Sequence, residues 1–138
     1  MSGGIEPFAW PLRVYYEDTD TGGVVYYANY LRFMERARTE WLRALGFDMS
    51  AMAREHGCHF VVHRAELDFI APARLDDRLT ATVGIERATP ARLVLAQDVL
   101  KDGARLVGGR VTIACITTDT WRPTPMPAPL RRALESPT

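Results

Sequence analysis

One stretch of helical periodicity followed by a long run of strand periodicity limits what this chain can become. From about Tyr27 to Leu45 the apolar positions Tyr30, Met34, Ala37, Trp41 and Leu45 recur at three- and four-residue spacing, and Leu31 and Leu42 widen the stripe. That is one face of an amphipathic helix. Arg36 and Glu40 pair at i,i+4 on its outer side, and Gly46 stands where a left-handed residue would end it. After Gly57 the apolar period falls to two and stays there for about sixty residues. A lone apolar helix face needs a sheet to cover it, and an antiparallel run of strands twists enough to curl around it. The chain therefore reads as α+β with one central helix.

Residues 12–17, rich in Val and Tyr, read as a first strand, and residues 49–56 as a short helical turn. His59–Phe69 reads as a long strand closed by Ala71-Pro72-Ala73. Residues 78–88 alternate, Thr89-Pro90 makes a turn, 91–100 reads as a strand, and Lys101-Asp102-Gly103 carries hairpin chemistry. Val107, Gly109, Val111, Ile113, Cys115 and Thr117 share one face of the last strand, so the pattern is strand, long helix, four strands. Prolines at 123, 125, 127 and 129 exclude a sheet interior, and the tail is expected extended before a short helix near Leu130–Leu134. At 138 residues this is one domain, 1–138, with a core over about 10–120 and a Pro-rich tail over 122–138.

Hydrophobic residues at 47% and charged ones at 25% place the chain among ordinary globular domains. The 17 basic residues balance 17 acidic ones, which argues against a general nucleic-acid binder. Residues 1–7 hold no basic start followed by an apolar core, and no run approaches a membrane span, so the cytoplasm is the expected address. Cys58 and Cys115 read as small core residues rather than a disulfide staple or a nucleophile.

The chemistry concentrates between Val14 and Tyr30. There a strand is expected to deliver Glu17, Asp18 and Asp20 into a Gly22-Gly23 turn that feeds the helix directly. A buried carboxylate beside the free N–H groups of a helix start can attack a carbonyl while its oxygen is polarised. Were the strand to continue to Asp20, Asp18 and Asp20 would share a face and Glu17 would point away. An acidic turn commonly does no more than satisfy local backbone donors. Here the two glycines permit close backbone approach, and Tyr26, Tyr27 and Tyr30 would wall a pocket. A calcium loop is excluded, because Gly22 falls at its fifth position and Asn29 at its twelfth.

The run Tyr16-Glu17-Asp18-Thr19-Asp20-Thr21-Gly22-Gly23-Val24-Val25-Tyr26-Tyr27-Ala28-Asn29-Tyr30-Leu31 resembles the signature of the 4-hydroxybenzoyl-CoA thioesterase family of hotdog-fold enzymes, closest to its Tol–Pal-associated acyl-CoA thioesterase branch. Agreement continues through Phe33–Glu40, Phe60-Val61-Val62 and Phe69–Asp77, so the resemblance covers about Trp10 to Pro127. It implies a hotdog fold, a curved antiparallel five-stranded sheet wrapped around the helix, and hydrolysis of short-chain or aroyl acyl-CoA to free acid and CoA. It implies Asp20 as the catalytic carboxylate, nucleophile or general base, and the Tyr27 backbone N–H as the donor that polarises the thioester carbonyl. Gly23, Val25 and Tyr26 would line the substrate beside them. No metal or cofactor is implied beyond the CoA of the substrate. The implied assembly is a dimer of dimers joined through edge strands, with acyl-carrier protein as a candidate partner. Tyr27 stands where the Tol–Pal branch commonly has His, which leaves the acyl preference open between aliphatic and aroyl.

His63 on the long strand would border the substrate, and Arg74, Arg87 and Arg92 near strand ends would hold the CoA pyrophosphate with guanidinium forks. A zinc site is not expected, since His59 and His63, four apart in a strand, stand roughly 13 Å apart. Two other readings stay open. A hotdog hydratase or dehydratase would need a His in the acidic loop or on the long helix, and neither holds one. A non-catalytic module docking acyl-carrier protein or an envelope-assembly partner would have no use for Asp20 beside a Gly-Gly turn.

Overall fold

The computed structural model describes residues 7–135; the segment 1–6, where no leader is expected, and the end of the tail lie outside this range. An antiparallel sheet is built from β1 (Phe8–Arg13), β2 (Cys58–Phe69), β3 (Arg78–Ala88), β4 (Arg92–Ala96), β5 (Val99–Lys101) and β6 (Ala104–Thr117). Its order is β1-β3-β4-β6-β2, with β5 paired to β3 and β6. The helices are α1 (Asn29–Ala44), α2 (Met49–His56) and α3 (Ala128–Glu135). The apolar stripe of α1 buries Tyr30, Phe33, Met34, Ala37, Trp41 and Leu42 in the same core as Leu79, Ala81, Val83, Leu93, Leu95, Val111 and Ile113. Each large side chain so buried contributes about 1.5–3 kcal/mol, which makes this face the main bond between helix and sheet. Among the described residues no helix is long and apolar enough to cross a membrane.

Among the described residues the sheet has six strands rather than five, because the strand expected over 91–100 is divided at Gln97-Asp98. The inward alternation Leu93, Leu95, Gln97, Val99 persists through the break, so a buried amide occupies a core position. Gln97 is satisfied there. Its Nε2 donates to Met34 O of α1 at 2.9 Å, and its Oε1 accepts from Arg38 at 3.0 Å. Gly109 permits this approach, since a Cβ there would stand 2.5 Å from Gln97 O and 2.8 Å from Met34 Cε.

The first strand also differs from expectation, covering Phe8–Arg13 rather than 12–17. Beyond it Val14 N–H donates to Asp77 O at 2.9 Å. Asp18 Oδ2 then accepts from Tyr15 N–H at 2.8 Å, and Tyr16–Asp18 winds into a 3-10 turn. Short acidic side chains compete with strand pairing for backbone donors in this way.

Tyr30 ties the core to the loop after β2. Its hydroxyl accepts the Ala73 N–H at 3.1 Å, and burial pushes the phenol above its ordinary pKa. Tyr30→Phe would leave a buried N–H without an acceptor, and urea unfolding should show a loss of about 1–3 kcal/mol. A change below about 0.5 kcal/mol, the range of surface substitutions, would show that the bond adds nothing.

The same loop holds a depressed carboxylate. Partial burial pushes Asp77 up, but bonds from Arg74 N–H at 2.8 Å and Lys101 Nζ at 3.0 Å outweigh this and hold it below the usual carboxylate range. Such a group stabilises the fold above its unfolded pKa, and the benefit fades as pH falls through the folded value. Asp77→Asn should therefore unfold at lower urea than wild type at neutral pH, with the gap closing in strong acid. Equal gaps at both pH values would exclude this linkage.

Candidate active site

Val14 to Tyr30 folds as a 3-10 turn, a tight hairpin and a helix entry joined by hydrogen bonds. Asp20 N–H donates to Val24 O at 2.9 Å and Gly23 N–H to Asp20 O at 3.1 Å, while Thr19 bridges Val25. Gly23 turns the chain at φ +80°, a conformation that side chains with a Cβ resist. Gly22 N–H donates to Asp20 Oδ1 at 2.8 Å, and a Cβ at residue 22 would stand only 3.2 Å from that oxygen. The bond orients one carboxylate oxygen. Oδ2 has no protein partner among the described residues.

The strand geometry expected for the acids does not form. Asp18 is the buried carboxylate, and Asp20, expected to be buried, is exposed in the single chain at the hairpin tip. The two do not share a face, because the 3-10 turn lies between β1 and the hairpin and breaks the alternation. Asp18 uses its carboxylate on Tyr15 N–H, and its carbonyl accepts from Tyr26 N–H at 3.0 Å and Asn29 Nδ2 at 2.9 Å.

The helix entry supplies the complementary half. Asn29 N–H closes a four-residue turn on Tyr26 O at 2.8 Å, with Tyr27 and Ala28 at its centre. The N–H groups of Tyr30 and Leu31 donate to the Tyr27 and Ala28 carbonyls. Those of Tyr27 and Ala28 find no acceptor among the described residues. Among the described residues no side chain caps α1, and its first turn carries no acid. The aligned peptide dipoles of a 16-residue helix thus end on two open donors, a position suited to developing negative charge.

Aromatic side chains wall this point. Tyr27 lies 4.9 Å from Tyr26 between ring centroids and meets Phe69 of β2 edge to face at 6.1 Å; Phe69 also packs on Tyr30 at 5.8 Å. Tyr27 stays 61% exposed and Phe69 52%, so the wall is open to a ligand. One turn into the helix, Leu31 opens a groove of about 290 Å³ lined also by Arg32, Glu35, Arg38, Val62, Ala65 and Val111. It lies beside the edge of β2, which among the described residues pairs with β6 alone.

One chain therefore brings together Asp20, Gly23, Val25, Tyr26 and Tyr27. Arg74 joins them through an antiparallel bridge with Val24. His63, Arg87 and Arg92 lie elsewhere. His63 is the extra, exposed residue at a bulge in β2, roughly 20 Å along the strand from Phe69. Arg87 and Arg92 flank the Thr89-Pro90 turn, about 30 Å from the end of β3 that adjoins the acid loop. Phe69 is not among the residues expected from sequence to serve the site. Its signal is parity: Phe60 and Val62 face the helix, and the bulge at His63 transfers that face to Ala65, Leu67 and Phe69.

The sequence model of the Thioesterase-like superfamily matches residues 14–134. The acyl-CoA thioesterase YbgC of Haemophilus influenzae is 38% identical over 126 residues, spanning 91% of this chain and 93% of that protein. The 1,4-dihydroxy-2-naphthoyl-CoA hydrolase of Thermosynechococcus vestitus is 33% identical over 136 residues, 91% of this chain and 90% of that one. A solved structure, that of a probable thioesterase from Bartonella henselae, is similar at TM-score 0.84 and 38% identity, covering 88% of this chain and 100% of that one. With sequence and hotdog fold shared over nearly its whole length, the chain belongs to the thioesterase-like superfamily and is an enzyme that acts on thioesters.

Proposed function

We propose that the chain hydrolyses acyl-CoA, with Asp20 as catalytic carboxylate and the Tyr27 N–H as donor to the thioester carbonyl. The observation that carries this reading is the uncapped start of α1 with its open donors, hydrogen-bonded to a loop that leaves Asp20 Oδ2 free. A carbonyl oxygen at that helix start gains its strongest bond as it becomes an oxyanion. Asp20 has two routes. As nucleophile, Oδ2 bonds to the acyl carbon, the C–S bond breaks, CoA leaves as thiolate, and water later cleaves the mixed anhydride. As general base, Oδ2 takes a proton from water whose oxygen attacks the acyl carbon, and the same thiolate departs. Gly23 and Tyr26 shape the surface around the acyl group, whereas Val25, expected to line it, is buried in the core beneath.

A flat aroyl group suits the wall of Tyr27 and Phe69, whose rings would meet it edge to face. A second copy completes the site. Adding its β2 antiparallel to the first extends the sheet through the free edge and reverses the neighbour end for end. The neighbour's Thr89-Pro90 turn then lies at the same end as this chain's Asp20, and Arg87 and Arg92 meet the CoA pyrophosphate there. His63, midway along β2, comes to the seam. The pairing also covers the aspartate that one chain leaves exposed. Two such dimers assemble in the cytoplasm.

Free-thiol release from short-chain, branched, long-chain and aroyl-CoA thioesters tests this reading. Hydrolysis with the highest kcat/KM on an aroyl substrate is expected. Silence across the panel would overturn it in favour of a module that docks an acyl carrier.

A further inference from the structure

The central helix carries an amide that reaches back to the acid loop. Asn29, the first residue of α1, is not its cap; Ala28 holds that position, and no side chain caps it. The Asn29 Nδ2 instead donates to the carbonyl of Asp18, 11 residues earlier, at 2.9 Å. That carbonyl also accepts the Tyr26 N–H at 3.0 Å, so both its lone pairs are taken by the segment entering the helix. Asp18 has little freedom to drift, being 6% exposed with its carboxylate held by Tyr15 N–H at 2.8 Å. Only Thr19 separates this pinned peptide from Asp20.

Beside the bonds that Gly22 and Gly23 N–H make to Asp20 within the hairpin, three bonds tie the acid loop to the segment entering the helix. They are the two into Asp18 O and the one from Asp20 N–H to Val24 O at 2.9 Å. Two of them join backbone groups. Asn29 alone donates from a side chain, and alone from within the helix.

We propose that Asn29 is a positioning residue whose amide sets the separation between the Asp20 carboxylate and the Tyr27 N–H, and through it kcat. The proposal rests on the catalytic reading of Asp20 given above. A misplacement near 1 Å costs such reactions about 10²-fold. Helix stability makes a contrary demand, which separates the two roles. Aspartate matches asparagine in shape and is favoured in a first helical turn, so Asn29→Asp keeps or strengthens α1. It also sets a carboxylate oxygen against the Asp18 carbonyl, where no bond can form.

Steady-state kinetics on one acyl-CoA, each protein well below its own melting temperature, provide the test. Asn29→Ala, which adds no charge, should lower kcat about 10- to 100-fold with KM within roughly twofold. Asn29→Asp should fall at least as far even though its charge at the helix start keeps its Tm at or above that of Asn29→Ala. Asn29→Ser, which retains a donor, should recover part of the loss. Wild-type kcat in Asn29→Ala or in Asn29→Asp overturns the assignment, provided that Asp20→Asn, measured alongside, is impaired. Full activity in Asp20→Asn would instead remove the catalytic reading, and the role of Asn29 with it.

Discussion

Asp20→Asn is expected to lower kcat on acyl-CoA by at least about 10²-fold, the scale of losing a catalytic acid–base group. The substitution comes close to removing charge alone. Asparagine keeps an Oδ1 acceptor for the Gly22 N–H, now at 2.8 Å, so the hairpin should persist. The side chain is exposed in the single chain, and no packing is lost with it. Urea unfolding should therefore agree with wild type within about 0.5 kcal/mol, and any fall in rate belongs to the chemistry. Undiminished turnover would remove Asp20 from the mechanism whatever the substrate.

Tyr27→Pro is expected to cost about 10²–10³ in kcat, the range for loss of one oxyanion donor. Proline is the one residue that deletes the N–H, and this position is suited to it. Tyr27 is the second residue of the turn that Asn29 N–H closes on Tyr26 O. Ala28 follows at φ −67° and ψ −22°, which excludes a type II turn and fits type I, where proline is favoured at the second place. The deleted N–H donates to nothing among the described residues, so no bond of the fold is lost. Tyr27→Ala is the control: it keeps the donor and should reduce aroyl turnover more than short-chain turnover by removing one ring of the wall. A folded Tyr27→Pro that retains more than about a tenth of wild-type kcat would exclude this N–H as the principal donor. The open Ala28 N–H would remain in either case and sets the floor of residual activity.

Much of the fold is legible in local pattern. The stripe of α1, the alternation of β3 and the turn chemistry at Lys101-Asp102-Gly103 each specify an element without reference to distant residues. The nearness of an acid to a helix start is legible for the same reason, since Asp20 and Asn29 are nine positions apart with two glycines between. Specific bonding overrides the apolar pattern in three places. Tyr15 and Tyr16 read as strand by composition, but Val14 pairs with Asp77 and the Tyr15 N–H is then taken by the Asp18 carboxylate three residues on. Gln97 reads as part of one strand, and its amide is drawn into the core by Met34 O. The bulge at His63 reverses the parity of β2 and brings Phe69 to Tyr27.

Periodicity, turn residues and short separations along the chain are local properties, and from them alone come the elements, their order and the types of group at the candidate site. The burial of Asp18 rather than Asp20, the direction of Phe69 and the distance of Arg87 and Arg92 from the acid loop were decided only on folding. The burial of Asp18 follows from its bonds to Tyr15, Tyr26 and Asn29, which apolar periodicity does not reveal; the other two depend on strand register between residues far apart in the chain, where a one-residue shift is enough to change the answer.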